Sequence, residues 1–122
     1  MIGYVTLGSN DFEKAKAFYD AVLAPLGAER TMSGETMQGY GGPGEGPMLG
    51  VCKPYDGKPA SGGNGTMVAL AAKSRAIVDT VHAAALAAGG ADEGAPGLRG
   101  DTFYGAYFRD LDGNKLCVFH YG

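Results

Sequence analysis

The side chains that could act as nucleophiles or metal ligands are few and are spread along the chain. There are two cysteines, Cys52 and Cys117, and two histidines. Two cysteines do not make a disulfide framework, so both are expected to be buried, reduced thiols. A soft-metal site for Cu(I), formed by both thiols and Met67, is the open alternative because thiolate and thioether suit that ion.

Neither histidine is predicted to be catalytic. His82 falls within a helical stretch and is expected to be half-exposed, whereas His120 alternates with Cys117 and Phe119 and should face away from them. No serine lies in a G-x-S-x-G sequence. The glycine-rich segment GPGEGPMLG lacks the Lys-Ser/Thr of a phosphate loop. The sequence therefore predicts no nucleophile system.

The predicted strands carry a more informative pattern than the cysteines and histidines, namely a wall of apolar and aromatic side chains. Side-chain alternation along the predicted strands places the following residues on one inner sheet face: Tyr4, Thr6, Met67, Ala69, Phe103, Tyr107, Cys117, Phe119 and Tyr121. Such a wall suits a flat or hydrophobic small molecule, with Arg99 and Arg109 as the nearest partners for an anionic group. The alternative is a collapsed core without a ligand. The predicted ligand-binding set is Tyr4, Thr6, Met67, Phe103, Tyr107, Cys117, Phe119 and Arg99.

The strands that would build this wall belong to a unit that occurs twice. The sequence from Tyr4 to Leu7 is matched at an offset of 63 residues by the sequence from Met67 to Leu70, and each match is followed by a helical stretch that ends at glycine. The first helix is expected over Asp11 to Leu23, capped by Asn10 or Asp11 with Glu13 in a capping box; the second begins after a Ser74 cap.

Three strands are expected after each helix. Those of the first half are predicted near residues 28–32, 36–40 and 47–53, and those of the second near 91–93, 102–109 and 115–121. Residues 2–8 and 66–71 are the strands before the helices. The sequence from Asp110 to Asn114 predicts a hairpin that pairs Arg109 with Lys115 and sets Tyr107 opposite Cys117.

The predicted fold class is therefore α+β, with two βαβββ modules whose helices cover one face of antiparallel sheet. We expect a single domain over residues 1–122, with module one at about 1–54, a linker at about 55–65 and module two at about 66–122. Each half is marginal in size alone, so the halves should complete one another.

Bulk properties exclude several function classes. The formal net charge is −3, so no nucleic-acid partner is expected. No apolar run approaches the length of a membrane span, and no membrane partner is expected. The N-terminus lacks the pattern of a signal peptide, which predicts a cytoplasmic location.

Three segments resemble the vicinal oxygen chelate superfamily, which includes glyoxalase I, extradiol dioxygenases and bleomycin-resistance proteins. They are YVTLGSNDFEKAKAFYDAVLAPLG, GTMVALAAKSRAIVDTVHAAALAAGG and YFRDLDGNKLCVFH, with Leu111 where the superfamily usually has proline. The resemblance implies two modules whose mixed or antiparallel sheets curl around a shared cleft, commonly in a homodimer. In the metal-dependent members the cleft holds a divalent ion, with His, Glu or Gln ligands from the first and last strands of each module.

This sequence departs from the superfamily at the implied ligand positions. Tyr4 and Met67 stand where histidine is frequent, and Cys117 stands where glutamate is usual. The fourth position falls within residues 48–53, a stretch with no His, Glu, Gln or Asp. Phenol, thioether and thiol do not form a set of two imidazoles and a carboxylate, so no metal and no cofactor are expected.

Three functional hypotheses are open, the second of them only because the resemblance implies it. The first is a metal-free protein that binds a small hydrophobic or aromatic molecule, similar in logic to bleomycin-resistance proteins. The second is an enzyme of the superfamily, a lyase or dioxygenase, with a non-standard or absent metal site; the residues do not decide whether the chain is an enzyme, but metal-dependent glyoxalase or dioxygenase activity is not expected. The third is a partner-binding module, which would need a large outer apolar patch.

Overall fold

Two repeats of one strand-helix-three-strand unit build the molecule, and the computed structural model describes all 122 residues. The first unit consists of β1 (Tyr4–Gly8), α1 (Phe12–Leu23), a 3-10 turn (Ala24–Leu26), β2 (Glu29–Ser33), β3 (Met37–Gly41) and β4 (Met48–Cys52). The second consists of β5 (Val68–Ala71), α2 (Arg75–Ala87), β6 (Ala91–Leu98), β7 (Phe103–Arg109) and β8 (Lys115–Tyr121). The predicted pair of βαβββ modules is confirmed.

Each unit forms its own four-stranded sheet. Sheet 1 has the order β1-β4-β3-β2, and sheet 2 has the equivalent order β5-β8-β7-β6. Of the expected mixed or antiparallel sheets, the structure has the mixed form: β1 pairs with β4, and β5 with β8, in parallel, and the other pairs are antiparallel. The reason is that the helix returns the chain before the second strand starts, and the three-strand meander then leaves its last strand parallel to the first. Both sheets are therefore mixed, and no ladder joins one to the other.

The caps explain where the helices begin. Asp11 caps α1 by accepting a hydrogen bond from the Lys14 N–H, and Ser74 caps α2 by accepting one from the Ile77 N–H. The capping box expected between Asn10 and Glu13 is wrong because the cap lies one residue later. Asn10 instead bonds the segment between the modules: its side chain accepts from the Ala60 N–H and donates to the Ala60 carbonyl oxygen.

The helices cover one face of each sheet and also contact each other, so the core lies between the sheets and the helices. The face of each sheet that carries no helix is called its open face. The open face of sheet 1 carries Tyr4, Thr6, Met37, Gly39, Met48, Gly50 and Cys52. The open face of sheet 2 carries Ala69, Ala71, Phe103, Gly105, Tyr107, Arg109, Lys115, Cys117, Phe119 and Tyr121.

Two predictions near α2 and β6 need correction. β6 runs to Leu98, five residues beyond the predicted end, because irregular pairing between Asp92 and Gly97 hides the strand alternation. His82 is buried rather than half-exposed, and its Nε2 lies 3.0 Å from an Asp92 carboxylate oxygen. That tertiary partner accounts for the burial of a polar ring. His120 faces away from Cys117 as expected, with Nδ1 2.8 Å from the Ala72 carbonyl oxygen.

A buried carboxylate joins the two modules. Asp110 accepts hydrogen bonds from the Tyr19 hydroxyl of α1, from the Asp112 and Asn114 N–H groups, and from the Asn114 side-chain amide. The Asn114 amide also donates to the Gly8 carbonyl oxygen at the end of β1. Burial and the neighbouring Asp110 raise the pKa of Tyr19 well above its ordinary value, so its hydroxyl remains a donor. The loop between β7 and β8 is therefore a junction as well as a hairpin turn.

Neither α1 nor α2 combines the length and the apolar character that a membrane-crossing helix needs.

The junction gives the first testable expectation. Asp110→Asn should lower the free energy of unfolding by about 2 kcal/mol, because either orientation of the amide sets an NH₂ group against buried donors. Asp101→Asn is the matched control, since Asp101 is exposed and forms no hydrogen bond; its change should stay within about 0.5 kcal/mol. Urea unfolding measures both. Equal urea-unfolding midpoints for the two variants would show that the junction does not stabilise the protein.

Candidate functional site

Three aromatic rings cluster at one end of the open face of sheet 2. Phe103 and Phe119 are stacked, with centroids 5.3 Å apart and planes 13° from parallel. Tyr121 meets both rings edge to face, at 5.4 Å from Phe103 and 5.5 Å from Phe119. Gly105 permits this packing, because a Cβ there would lie 2.7 Å from Phe103 Cε1. We call these three residues the aromatic cluster; Tyr121 is exposed, and Phe103 and Phe119 are partly exposed.

A tyrosine-cysteine pair lies two residues further along the strands. Tyr107 faces Cys117 across β7 and β8, and Arg109 faces Lys115, which confirms the predicted hairpin register. Two cations lie near the Tyr107 ring: the Arg99 guanidinium carbon is 5.5 Å from its centroid and the Lys115 ammonium 5.7 Å. The open face of sheet 2 thus passes from an aromatic surface to a cationic one.

The two arginines considered for an anionic group differ in their partners. Arg109 forms a salt bridge with Glu93 and donates to the Gly113 carbonyl oxygen, so its charge is compensated. Arg99 forms no salt bridge. Its Nη1 donates to the carbonyl oxygens of Gly97 and Gly105, and its Nη2 to that of Ala95. Backbone carbonyls therefore hold Arg99 in place without neutralising it.

The groups beside these cations stay uncharged at neutral pH. Burial raises the pKa of the Cys117 thiol, an effect that the nearby Tyr107, Arg99 and Lys115 only partly offset. Burial first, and the neighbouring Cys117 second, raise the pKa of Tyr107. Neither thiolate nor phenolate forms near pH 7 to balance Arg99 and Lys115. Cys117 is thus a poor candidate for a nucleophile.

Sheet 1 carries a different surface on the equivalent open face. Tyr4 and Thr6 lie beside Met48 and Gly50 in the parallel pairing of β1 with β4. Gly39 and Gly50 face each other across β3 and β4, and methionine side chains fill the space beside them. A Cβ added at Gly39 would lie 2.4 Å from Met48 Sδ. Two glycines and two methionines thus make this face adaptable where sheet 2 is aromatic.

Met67 lies apart from the aromatic cluster. It lines a groove of about 560 Å³ that is apolar along most of its wall and includes Val5, Met48 and Leu70. None of Phe103, Tyr107, Cys117 and Phe119 reaches this groove. Within one chain, the predicted ligand-binding residues thus fall into a group on sheet 2 (Phe103, Tyr107, Cys117, Phe119 and Arg99), a pair on sheet 1 (Tyr4 and Thr6), and Met67 in the groove.

The register identifies the fourth position of the implied metal site. Cys117 pairs with Ala69 of β5, and the equivalent pair of sheet 1 is Gly50 with Thr6, so the counterpart of Cys117 is Gly50. A glycine offers no side-chain donor. The four positions therefore provide a phenol, a thioether, a thiol with a raised pKa and no donor at all. That set does not fit the borderline or hard divalent ions that imidazole and carboxylate sites bind.

No group of three or more His, Cys, Asp or Glu side chains elsewhere in the chain is arranged to hold a metal ion, and Cys52 and Cys117 are both free thiols. The soft-metal alternative of Cys52, Cys117 and Met67 stays a prediction from the sequence. Sequence reasoning did not include Lys115 or Tyr121 in the ligand-binding set. The alternation that identified Cys117 and Phe119 places both on the same open face.

The sequence profile of the Glyoxalase/Bleomycin resistance protein/Dioxygenase superfamily matches residues 1–118. A crystal structure of a glyoxalase/bleomycin resistance protein from Albidiferax ferrireducens is 40% identical, covers 100% of this chain and 99% of that one, and superposes with a TM-score of 0.92. A search of curated proteins finds no match.

More distant structures share the fold alone. A glyoxalase/bleomycin resistance protein/dioxygenase family enzyme from Burkholderia phytofirmans is 18% identical, with 98% of each chain covered and a TM-score of 0.78. A lactoylglutathione lyase from Agrobacterium tumefaciens is 22% identical over 98% of this chain and 92% of that one, with a TM-score of 0.70.

The buried thiol leads to a second testable expectation. At pH 8 and under native conditions, a thiol reagent should modify half-buried Cys52 at least about tenfold faster than Cys117, because burial and a raised pKa both keep Cys117 from reacting. Peptide mass spectrometry after timed quenching measures both rates. Unfolding in urea is the control and should make the two rates similar. Preferential native labelling of Cys117 would contradict the assigned burial.

Proposed function

The chain belongs to the glyoxalase/bleomycin resistance protein/dioxygenase superfamily, and from that premise we propose that it binds a small hydrophobic or aromatic molecule on its open sheet faces without a metal ion. The single observation that carries the proposal is the aromatic cluster of Phe103, Phe119 and Tyr121, which lies on the side of sheet 2 that no helix covers.

The donor chemistry supports a function that needs no metal. Tyr4, Met67 and Cys117 occupy three of the implied ligand positions, and Gly50 occupies the fourth. Activation of a carbonyl or of water by a divalent ion needs ligands that hold the ion in a fixed geometry. The aromatic cluster instead favours recognition of a flat apolar ligand by stacking and by removal of its surface from water.

No second function is proposed. The chain is similar in fold to a lactoylglutathione lyase, but at 22% identity that likeness extends to the fold only. The side chains on the open faces include no general base with a partner and no activated nucleophile.

We further propose that the protein acts as a homodimer in which a second copy covers the open faces. Several large apolar side chains on or beside these faces are exposed to solvent: Tyr4 (62%), Met67 (44%) and Tyr121 (65%). The helices pack against each other on the opposite side, so they cannot close a cleft over the aromatic cluster. A second copy would supply the missing wall, and exposed apolar patches of this kind are typical of such interfaces. The cytoplasmic location remains a prediction from the sequence.

Binding is tested by fluorescence titration of chelator-treated protein with 2-naphthol as the probe. Saturable binding is expected, and Phe119→Ala should weaken it about tenfold because one face of the stack is lost. Tyr55→Ala is the matched control, since Tyr55 is fully exposed and contacts no other ring. Elemental analysis of protein purified without chelator accompanies the titration.

Two results would contradict the proposed function. One is the absence of saturable binding by folded protein. The other is a stoichiometric divalent metal whose removal abolishes binding.

The dimer is tested by light scattering coupled to gel filtration. The mass should be about twice the 12.5 kDa of the chain. Met67→Glu should shift it toward the monomer, because a carboxylate would be buried without a partner. Leu86→Glu is the control: Leu86 on α2 is similarly exposed, at 39%, but lies away from the open faces. A monomeric wild-type protein, or equal effects of the two variants, would overturn this assembly.

A further inference from the structure

The aromatic cluster has a cationic neighbour at a distance set by the strands. Phe119 and Cys117 are two residues apart on the same face of β8, a separation of about 7 Å. Arg99 connects the two regions, because its Nη1 donates at 3.0 Å to the carbonyl oxygen of Gly105, the residue that pairs with Phe119. A planar molecule of one or two rings that lies on the cluster would therefore reach Arg99 with a substituent at one end.

The Arg99 guanidinium keeps two donors for such a substituent. An arginine carries five N–H donors, and backbone carbonyls accept from three of them, two on Nη1 and one on Nη2. The Nε–H and the second Nη2–H have no acceptor within the protein. These three carbonyl bonds also fix the fork before any ligand arrives, which lowers the entropy lost on binding.

The charge around Arg99 is not balanced. The open face of sheet 2 and its edge strand β6 present three cations, Arg99, Arg109 and Lys115. Of the two carboxylates of β6, Glu93 pairs with Arg109, whereas Asp92 contacts His82 of α2. Lys115 forms no salt bridge. Tyr107 and Cys117, which lie between the free cations, remain neutral near pH 7 because burial raises the pKa of each. This local excess of positive charge occurs in a chain whose net charge is −3.

On the basis of the binding function proposed above, we propose that the ligand is a planar aromatic carboxylate: its rings lie on Phe103, Phe119 and Tyr121, its carboxylate is bound by Arg99, and Lys115 attracts it electrostatically from beyond Tyr107. The two free donors of Arg99 match the two oxygens of a carboxylate, and Lys115, 5.7 Å from the Tyr107 ring centroid, adds a second positive charge nearby. Arg109 has no such role because Glu93 occupies it.

The experiment compares two probes that differ only in charge. Chelator-treated full-length protein is titrated by calorimetry with 2-naphthoate and with 2-naphthamide, which has the same rings and a neutral head. The carboxylate should bind at least about tenfold more tightly at low salt, and the difference should shrink as salt is added, because partly exposed charges are screened.

Variants locate the preference. Lys115→Gln removes a charge that forms no hydrogen bond or salt bridge, so it should leave folding unchanged and reduce carboxylate affinity several-fold without affecting the amide. Arg99→Gln should remove most of the preference. Arg75→Gln is the matched control, since Arg75 also lies over a tyrosine ring, 5.2 Å from Tyr104, and donates to a backbone carbonyl, but on the helix-covered face of sheet 2.

The outcomes separate the two proposals. A several-fold smaller preference in Lys115→Gln and its near loss in Arg99→Gln, with retention in Arg75→Gln, support the carboxylate site. Equal binding of naphthoate and naphthamide to the wild-type protein would overturn it while leaving the proposed binding function intact. A carboxylate preference that survives both substitutions would also overturn it. Failure of folded protein to bind either probe would contradict the binding function itself.

Discussion

The arrangement of the molecule depends on the buried Asp110 carboxylate at the junction of the two modules. It holds the β7–β8 loop from within through two backbone N–H groups, and it reaches module one through the Tyr19 hydroxyl. Asn114 extends the same network to the end of β1. A buried charge of this kind is stable only when its hydrogen bonds are complete, so the relative position of the modules is strongly determined. Phe18 and Phe108 pack beside it, with ring centroids 6.4 Å apart.

That junction decides which surfaces are free. Because the modules meet through helices and loops, both helix-covered faces lie inside and both open faces lie outside. The two modules differ on these open faces. Gly39 and Gly50 with their methionine neighbours give sheet 1 a flat, adaptable surface, whereas the equivalent positions of sheet 2 hold Tyr107 and Cys117. The two modules thus present one open face of glycine and methionine and one open face that is aromatic and cationic.

Sequence patterns predicted the features that residues close together in the chain determine. They failed for the features that depend on residues far apart in the chain. The hairpin after Arg109 fixed its own register, so the pairing of Tyr107 with Cys117 followed from the loop. His82 of α2 is buried with Asp92 of β6 as its polar partner, and no helical pattern reveals that partner. The choice between Arg99 and Arg109 likewise depended on the position of Glu93 in an irregular strand.

The same physical constraint links the missing metal ligands to the free cations. An anionic ligand that leaves water needs compensating charge wherever it binds, because an uncompensated charge in a partly buried site is strongly disfavoured. A divalent ion can supply that charge, but the thioether of Met67 and the backbone at Gly50 offer it no suitable ligands. Arg99, held by three carbonyl oxygens, supplies a permanent positive charge that needs no ion. On the proposed function, a protein with this donor set therefore recognises an anion through fixed side-chain charge, and its specificity follows from the distance between that charge and the aromatic cluster.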